Sequence, residues 1–402
     1  MRHGVLAPVA RPDNVPPEVV VDFDVHGPER GAEDLHGAWR KLHQGPDIVW
    51  APYHGGHWIF TRHADIDFAQ RNHDPFSMRD VTMPANTRPT RLLPLESDPP
   101  EHTPFRAILN PWFAPKRISA LKDFTRQLAI DLIEGFKPRG ECEFMHDFAL
   151  VLPIAIFMRL TNLPMADREN LLRLAQMSTR GGPEDRHQAT MEMMGYLMPV
   201  IADRRANPGD DILSTVVNAR IEGKPLNDTD LMSMLLVILF GGLDTVASTL
   251  GFVANFMAGS PAHRRQLIED PALVDNAVEE LMRRFPPSAT ARTLTRDYEY
   301  KGLHFKQGDK VYITALMSGL DDRRYPNAWE IDFRRQDAAQ HNSFGAGPHR
   351  CPGSLLAKLE IKLFLEEWLK RIPDFQVKPG EPVVYGPGQV NCVERLVLSW
   401  PE

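Results

Sequence analysis

The spacing of apolar and polar residues predicts a mainly helical chain with β segments toward both ends. Apolar residues recur every three or four positions across much of 101–290 and again across 353–371, as in helices with one buried face. Segments with strand-like composition lie at about 45–63, 298–315 and 373–402. We therefore expect a mainly α fold with a smaller β region.

Glycine and proline residues predict where turns, loops and helix ends lie. Gly55 and Gly56 separate two β-rich runs in "DIVWAPYHGGHWIFTRH", which predicts a hairpin. Residues 78–100 contain five prolines and predict a long loop, and "RGGPEDRHQ" at 180–188 predicts a break between helices. No proline-, serine- or charge-rich linker divides the chain, so residues 1–402 are expected to form one domain.

Composition narrows the classes of function. The 402 residues are 43% hydrophobic with a net charge of −7, which favours no nucleic-acid partner. The longest apolar run, at 231–243, is shorter than the roughly 20 residues that span a bilayer. Three scattered cysteines predict no disulfide scaffold, so we expect a cytoplasmic protein with no membrane partner.

The most unusual segment is "NSFGAGPHRCPGSLLAKLEI" at 342–361. Cys351 precedes an apolar helix, and a helix N-terminus favours the thiolate form of a cysteine. Gly345, Gly347 and Gly353 lack a Cβ and would allow a flat molecule to approach the backbone. His349 would add a hydrogen-bond donor or a positive charge beside the sulfur.

Three interpretations of Cys351 follow from these residues. It could be a buried structural cysteine in a turn. It could be a nucleophile paired with His349, although such a pair usually draws its histidine from a distant segment. It could also be the thiolate ligand of a haem iron.

The segment resembles the haem-binding loop of the cytochrome P450 family. That resemblance implies the cytochrome P450 fold, a haem b (heme b) cofactor and Cys351 as the ligand of its metal, with Phe344, His349 and Gly353 also at the cofactor. The haem would lie between the helix that follows Cys351 (the cysteine-loop helix) and the helix that carries the family's oxygen-activation motif (the oxygen-activation helix). The matching positions are Phe344, Gly345, Gly347, His349, Cys351, Gly353, Ala357 and Glu360.

A second segment, "LFGGLDTVAST" at 239–249, places two glycines at the end of the most apolar predicted helix. Each costs about 1 kcal/mol relative to alanine, which suggests that a cofactor approaches closely. The segment resembles the family's oxygen-activation motif, which implies Gly241 at the haem and catalytic roles for Asp244 and Thr245. The alternative is a kinked core helix whose threonine bonds to its own backbone.

A third group of residues resembles the family's contacts to the haem propionates. "SDPPEHTPFRAIL" at 97–109 puts His102 and Arg106 four residues apart on a predicted helix. Arg292 and His349 would complete an anion clamp in the family arrangement. Basic side chains that converge in this way suit a carboxylate-bearing cofactor.

The pair Glu280 and Arg283 in "EELMRRF" resembles the family's Glu-x-x-Arg and is predicted to be structural. Together the motifs cover the chain from about residue 45 onward. The group they resemble most is that of the soluble bacterial camphor hydroxylases. That resemblance implies a [2Fe–2S] ferredoxin partner reduced by an NADH-dependent ferredoxin reductase, with Arg106 facing the donor.

The predicted substrate pocket departs from the camphor pattern. No tyrosine occurs in 81–95, and Thr90 is nearest to the position of the expected hydrogen-bond donor. Phe240, Ser288 and Thr290 differ in size or polarity from the residues expected there. Val237, one turn before Phe240, is also predicted to line the pocket. We expect a small apolar terpenoid or norisoprenoid, ionone-like or camphor-like, as the substrate.

The expected activity is hydroxylation with O2. A peroxide-driven haem-thiolate enzyme is one alternative, and a haem-binding or sensor protein without enzymatic activity is another. The Asp244–Thr245 pair, which would relay protons in the family arrangement, argues against both alternatives. Neither a peroxide-driven enzyme nor a sensor requires a proton relay. Residues 178–190 are predicted to act as a lid over the pocket.

Overall fold

In a computed structural model that describes residues 7–27, 35–85 and 87–401, helices form most of the ordered chain. The α-helices are α1 Leu35–Arg40, α2 His63–Arg71, α3 His102–Leu109, α4 Pro115–Ala120, α5 Lys122–Phe136, α6 Val151–Thr161, α7 Arg168–Arg180, α8 Pro183–Ala206, α9 Ile212–Val217, α10 Asp228–Gly242, α11 Thr245–Ala258, α12 Pro261–Glu269, α13 Val274–Arg284, α14 Ala315–Gly319 and α15 Ser354–Arg371. The predicted mainly α fold is confirmed, whereas a single domain over 1–402 stays a prediction.

Short strands complete the fold. They are β1 Ile48–Ala51, β2 His57–Phe60, β3 Phe76–Ser77, β4 Glu141–Glu143, β5 Arg220–Ile221, β6 Lys224–Pro225, β7 Ala289–Leu294, β8 Tyr298–Tyr300, β9 Leu303–Phe305, β10 Lys310–Thr314, β11 Gln376–Val377, β12 Val384–Gly386, β13 Cys392–Arg395 and β14 Val397–Ser399. β7 lies at the end of the range that was predicted to be helical, and β4 lies within it. Both strands lie beside other strands, and this tertiary pairing outweighs the local pattern.

The largest sheet has the order β1-β2-β10-β7-β3. β1 and β2 form the predicted hairpin, with Ile48 opposite Phe60. Its turn places Gly55 at φ 89° and Gly56 at φ 82°, a left-handed region that glycine enters without strain. β2 pairs in parallel with β10, and β7 pairs antiparallel with β10 and β3, so distant parts of the chain meet in this sheet.

The helical core surrounds Trp368 of α15, which is fully buried. Its indole ring lies 5.3 Å from Phe144, 5.5 Å from Phe364 and 5.8 Å from Phe148, measured between ring centroids. Contacts at these distances, with the rings inclined to one another, are favourable for aromatic pairs. This packing fixes α15, and α15 positions the cysteine loop that precedes it.

The apolar segment Asp228–Ala258 comprises α10 and α11. It is long and apolar enough to cross a membrane, but 72% of its most apolar window is buried inside the protein. Burial of that kind is typical of a core helix. The segment is not one continuous helix, because Leu243 and Asp244 separate α10 from α11.

The predicted break at 180–188 is narrower than expected. α7 ends at Arg180 and α8 begins at Pro183, so only Gly181 and Gly182 are non-helical. A Cβ on Gly181 would collide with the carbonyl oxygen of Met177. The proposed lid, residues 178–190, therefore consists of two helix ends and a short hinge between them.

Glu280 and Arg283 form a fully buried ion pair on α13. Two nitrogens of Arg283 each donate to Glu280 at 2.8 Å, and Arg335 Nε donates to both Glu280 oxygens at 3.1 Å. Arg283 also donates to the Ala328 carbonyl at 2.7 Å. The pair thus joins α13 to the segment that leads toward the cysteine loop, as a bracing role requires.

Glu360 of α15 generates a prediction about pH. Its carboxyl is 1% exposed, Oε2 makes no hydrogen bond, and burial raises its pKa from the usual 4.5 to about 8. The folded state therefore holds this proton more tightly than the unfolded state does. As pH rises from about 4.5 to 8, Glu360 should lower the free energy of unfolding by up to about 1.4 kcal/mol per pH unit.

We expect Glu360→Gln to remove this dependence. The variant should gain stability over the native protein, and the gain should be larger at pH 8 than at pH 5 in urea unfolding measurements. Glu169→Gln is the matched control, because the Glu169 side chain is 88% exposed. Equal pH slopes for the native protein and Glu360→Gln would contradict the prediction.

Candidate functional site

The cysteine loop is closed by its own backbone. Cys351 N–H donates to the Phe344 carbonyl at 2.8 Å, and Gly345 N–H donates to Asn342 at 2.8 Å. Gly347 has a φ of 65°, and a Cβ there would lie 3.1 Å from the backbone of Arg71 on α2. The loop therefore packs tightly on α2 and presents Cys351 three residues before α15.

Cys351 differs from the other two cysteines. Its side chain is exposed, whereas Cys142 and Cys392 are buried. Burial among protein atoms nonetheless raises the pKa of the Cys351 thiol, even though the Gly353 N–H, Arg106 and Arg350 favour the thiolate. The sulfur therefore faces a recess inside the protein. The Gly353 N–H at the helix N-terminus acts toward the thiolate as expected, but desolvation by the surrounding protein has the larger effect.

Beside this recess, basic side chains form the predicted clamp. The His102 and His349 rings lie 4.5 Å apart, and Arg292 is 3% exposed. Burial lowers the pKa of Arg292 to about 10. Burial, followed by the charges of Arg292, His102 and Arg106, lowers the pKa of His349 to about 2.

The clamp has unused hydrogen-bonding groups. His102 Nε2 and both ring nitrogens of His349 are buried without a hydrogen-bond partner. Asp98 is the acidic group beside them, 3.9 Å from His349 Nε2, and it already accepts from Ser77 and the Met78 N–H. Buried donors without partners favour an anionic ligand. This site therefore fits a group that, like haem, carries carboxylates.

Arg106 extends the clamp toward the cysteine. Its Nε donates to Asn110 at 2.8 Å and its Nη2 donates to the Arg350 carbonyl. The side chain thus spans from α3 to the residue next to Cys351. Asp98 was not predicted from the sequence, although it lies in the same "SDPPEH" segment as His102.

One face of α10 and α11 is less buried than the rest. Val237, Gly241 and Thr245 are spaced four residues apart, and each is partly or fully exposed within an otherwise buried segment. A Cβ on Gly241 would meet nothing within 4 Å. A Cβ on Gly242 would overlap the Phe157 ring. The two glycines therefore serve different purposes, and only Gly241 suits close approach by a cofactor.

Thr245 hydrogen-bonds in the way that the alternative interpretation expected. Its Oγ1 donates to the Gly241 carbonyl at 3.1 Å, one turn earlier. The hydroxyl lies at the start of α11, directly after the break between the helices. It can therefore rotate toward a ligand on the less buried face by giving up a single hydrogen bond.

Asp244 is fully buried and paired with Arg180, which was not predicted. Arg180 Nη2 lies 2.6 Å from both Asp244 oxygens, and Thr179 Oγ1 donates to one of them at 3.3 Å. Arg180 also donates to Ser248 at 3.2 Å. The last residue of α7 is thereby tied to the break between α10 and α11. The helix break around 180–188 was the only signal in the sequence.

The predicted pocket residues on the long loop and on α10 lie in different surroundings. Thr90 Oγ1 is 3.2 Å from Ser233 Oγ, so this hydroxyl is engaged with α10. Phe240 is 4% exposed and packs in the apolar cluster around α10. Val237 is partly buried against the same cluster. Ser233 was not predicted.

The two pocket residues near β7 differ in their partners. Ser288 is partly buried and forms an isolated bridge with Val390, which brings the C-terminal segment to this position. Thr290 Oγ1 accepts a hydrogen bond from Arg292 at 2.9 Å. Thr290 therefore positions the clamp arginine, in addition to any contact with substrate.

Replacing each of the two glycines of α10 with alanine gives a matched pair of variants. Gly242→Ala should lower the free energy of unfolding by about 1–3 kcal/mol, because the added methyl must displace Phe157. Gly241→Ala should leave it unchanged or raise it slightly, because alanine favours the helix. Urea unfolding of the haem-free chain measures both, and equal losses would contradict this assignment.

Comparisons with known proteins identify the family. The family model described as Cytochrome P450 matches residues 170–384. The probable cytochrome P450 127A1 of Sinorhizobium fredii is 34% identical over 401 residues, covering 97% of this chain and 96% of that protein.

Solved structures extend the likeness to the whole fold. The crystal structure of CYP101J2 is 39% identical with a TM-score of 0.89, and that of CYP101C1 is 34% identical with a TM-score of 0.90. Each covers 98% of this chain and is itself covered completely. The chain therefore belongs to the cytochrome P450 family and is a monooxygenase that uses O2, a redox partner and a haem with an axial cysteine thiolate.

Proposed function

We propose that this protein hydroxylates a small apolar terpenoid or norisoprenoid, with electrons from a [2Fe–2S] ferredoxin and Cys351 as the axial haem ligand. The observation that carries the proposal is the exposed Cys351 thiol beside a clamp of buried, unpartnered donors. The buried Cys142 and Cys392 offer no such surroundings. Burial raises the pKa of the Cys392 thiol to about 12.

The haem would lie between the less buried face of α10 and α11 and the start of α15. His102, Arg106, Arg292 and His349 would hold its propionates. Within the described residues the ring nitrogens His102 Nε2, His349 Nδ1 and His349 Nε2 are buried without a partner, and the two arginines supply positive charge beside them. Gly241 would leave room for the ring, and Phe344 and Gly353 flank the cysteine. When bound, the haem supplies activation of O2.

The protons needed for the activation of O2 would reach the haem pocket through Asp244 and Thr245. Asp244 is locked by Arg180 at 2.6 Å, so it cannot move toward the haem until Arg180 releases it. Since Arg180 ends α7 next to the Gly181–Gly182 hinge, movement of the lid would release the carboxylate. Thr245 would rotate from the Gly241 carbonyl to donate its hydroxyl proton.

The substrate class follows from the lining of the pocket. Thr90 has its hydroxyl against Ser233, and Thr290 accepts from Arg292, so part of the hydrogen-bonding capacity of each hydroxyl is already used within the protein. Val237 and Phe240 add apolar surface. A neutral, largely apolar molecule loses few hydrogen bonds to water in such a pocket, which favours a terpenoid or norisoprenoid.

The electron donor would dock on the cysteine side of the haem. Arg106 and Arg350 lie there, and Arg350 is exposed. Exposed positive charge suits an acidic ferredoxin, because complementary charge speeds association. The likeness to the two CYP101 structures supports this choice of partner and a cytoplasmic location.

The axial ligand can be tested by optical spectroscopy. The reduced protein with carbon monoxide should show the strongly red-shifted Soret band of thiolate ligation. Cys351→Ala should abolish that band, and Cys392→Ala should retain it, because Cys392 is buried against the Gly386 carbonyl. A histidine-type carbonyl spectrum in the folded native protein would refute the assignment.

Turnover separates the three candidate activities. With NADH, ferredoxin and ferredoxin reductase, we expect a hydroxylated product from the terpenoid or norisoprenoid that most strongly converts the oxidised haem to high spin. Asp244→Asn should lower that rate at least tenfold through loss of the proton relay. Product formed with peroxide alone favours the peroxide-driven alternative. No product under either condition favours the sensor alternative.

A further inference from the structure

Arg186 is a buried cation for which the described residues supply no carboxylate partner. It lies in the first turn of α8 and is 2% exposed. Its Nη1 donates to the Met83 carbonyl at 3.1 Å and lies 3.5 Å from Thr87 Oγ1. Nε is buried without a partner, and no carboxylate of the described chain forms an ion pair with this guanidinium. Arg186 remains charged near neutral pH, since burial lowers its pKa only to about 10.

Asp80, the carboxylate whose charge acts on Arg186, is engaged with another cation, and so is Glu96, the partner of the neighbouring Arg88. Glu96 pairs with Arg88 at 3.2 Å, and Asp80 pairs with Lys310 at 2.9 Å. Arg88 and Arg186 are close enough to lower the pKa of Arg186 by repulsion. An unpaired charge in a protein interior costs several kcal/mol, so an anion bound beside Arg186 would stabilise this region.

Tyr312 of β10 lies near Arg186, close enough to influence the pKa of its guanidinium. It is 1% exposed, and its Oη is buried without a hydrogen-bond partner. Burial raises its pKa, so the hydroxyl stays protonated and can donate. His57, 6.1 Å away between ring centroids, does not supply a charge, because burial lowers its pKa to about 3.

This space is separate from the haem clamp. Tyr312 pairs directly with Ala291, and neighbouring residues on a strand point to opposite faces of a sheet. Tyr312 and Arg292 therefore lie on opposite faces. The haem propionates, which would bind beside Arg292, cannot neutralise Arg186.

We propose that Arg186 and Tyr312 form a carboxylate-binding subsite between α8 and β10, which takes a small organic monocarboxylate. A guanidinium binds a carboxylate through two parallel hydrogen bonds, and Arg186 Nε is available for one of them. The Tyr312 hydroxyl would donate a further hydrogen bond. Because α8 follows the Gly181–Gly182 hinge, the bound anion would hold the lid helix against the sheet.

Calorimetric titration of the haem-loaded protein tests this subsite without requiring turnover. Cyclohexanecarboxylate should bind at least tenfold more tightly than the neutral cyclohexanecarboxamide. Arg186→Gln should remove that preference, a loss of about tenfold to a hundredfold in carboxylate affinity. Tyr312→Phe should weaken carboxylate binding by a smaller factor. Arg168→Gln, on α7 and next to Glu169, is the control and should bind as the native protein does.

Two results would overturn the subsite: no preference for carboxylate over amide in the native protein, or the same preference in Arg186→Gln. If Arg186→Gln does not fold, Arg186→Lys keeps the charge but loses the paired geometry, and undiminished carboxylate binding by it would also overturn the proposal.

Acetate distinguishes the sources of the anion. Tight acetate binding without a change in haem spin state indicates a free ion, whereas a high-spin shift with cyclohexanecarboxylate alone indicates a substrate carboxylate.

Discussion

Buried basic groups with unused hydrogen-bonding capacity are the constraint on which the site depends. His102 and His349 meet in the interior near Arg292, and within the described residues His102 Nε2 and both His349 ring nitrogens have no hydrogen-bond partner. Such an arrangement is unfavourable by itself and becomes favourable when an anionic cofactor binds. Burial also raises the pKa of Cys351, and under the proposed assignment of this residue as the haem ligand the iron would supply the positive charge that stabilises its thiolate. Folding and cofactor binding are therefore energetically linked.

The rest of the fold holds these groups in place. The aromatic packing of Trp368 fixes α15, and the buried pair of Glu280 and Arg283 fixes α13 against the segment that leads to the cysteine loop. The ion pair between Arg180 and Asp244 joins the end of α7 to the break between α10 and α11. If residues 178–190 act as the proposed lid, a movement at the Gly181–Gly182 hinge would reach the proposed proton relay through this one side-chain contact.

Local patterns predicted the parts of the fold that depend on local physics. The hairpin around Gly55 follows from backbone conformation, and α13 ends where Pro286 and Pro287 follow it. Predictions failed where distant segments decide the outcome. The predicted helical range reached residue 290, but β7 begins at Ala289, because β10 and β3 pair with this strand. The end of α10 at its two glycines was predicted, but the salt bridge from Asp244 to Arg180, 64 residues earlier, was not.

The sequence by itself determined the family, the cysteine loop and the order of the motifs, because each is a short run of residues whose types are dictated by local chemistry. Only the tertiary structure separated the roles of Gly241 and Gly242, since the Phe157 ring that excludes a side chain at Gly242 lies on another helix. It alone identified Arg180 as the partner of Asp244. It alone also showed that the described residues give Arg186 no carboxylate partner. Charge balance in the interior depends on which side chains meet in space, and spacing along the chain does not encode it.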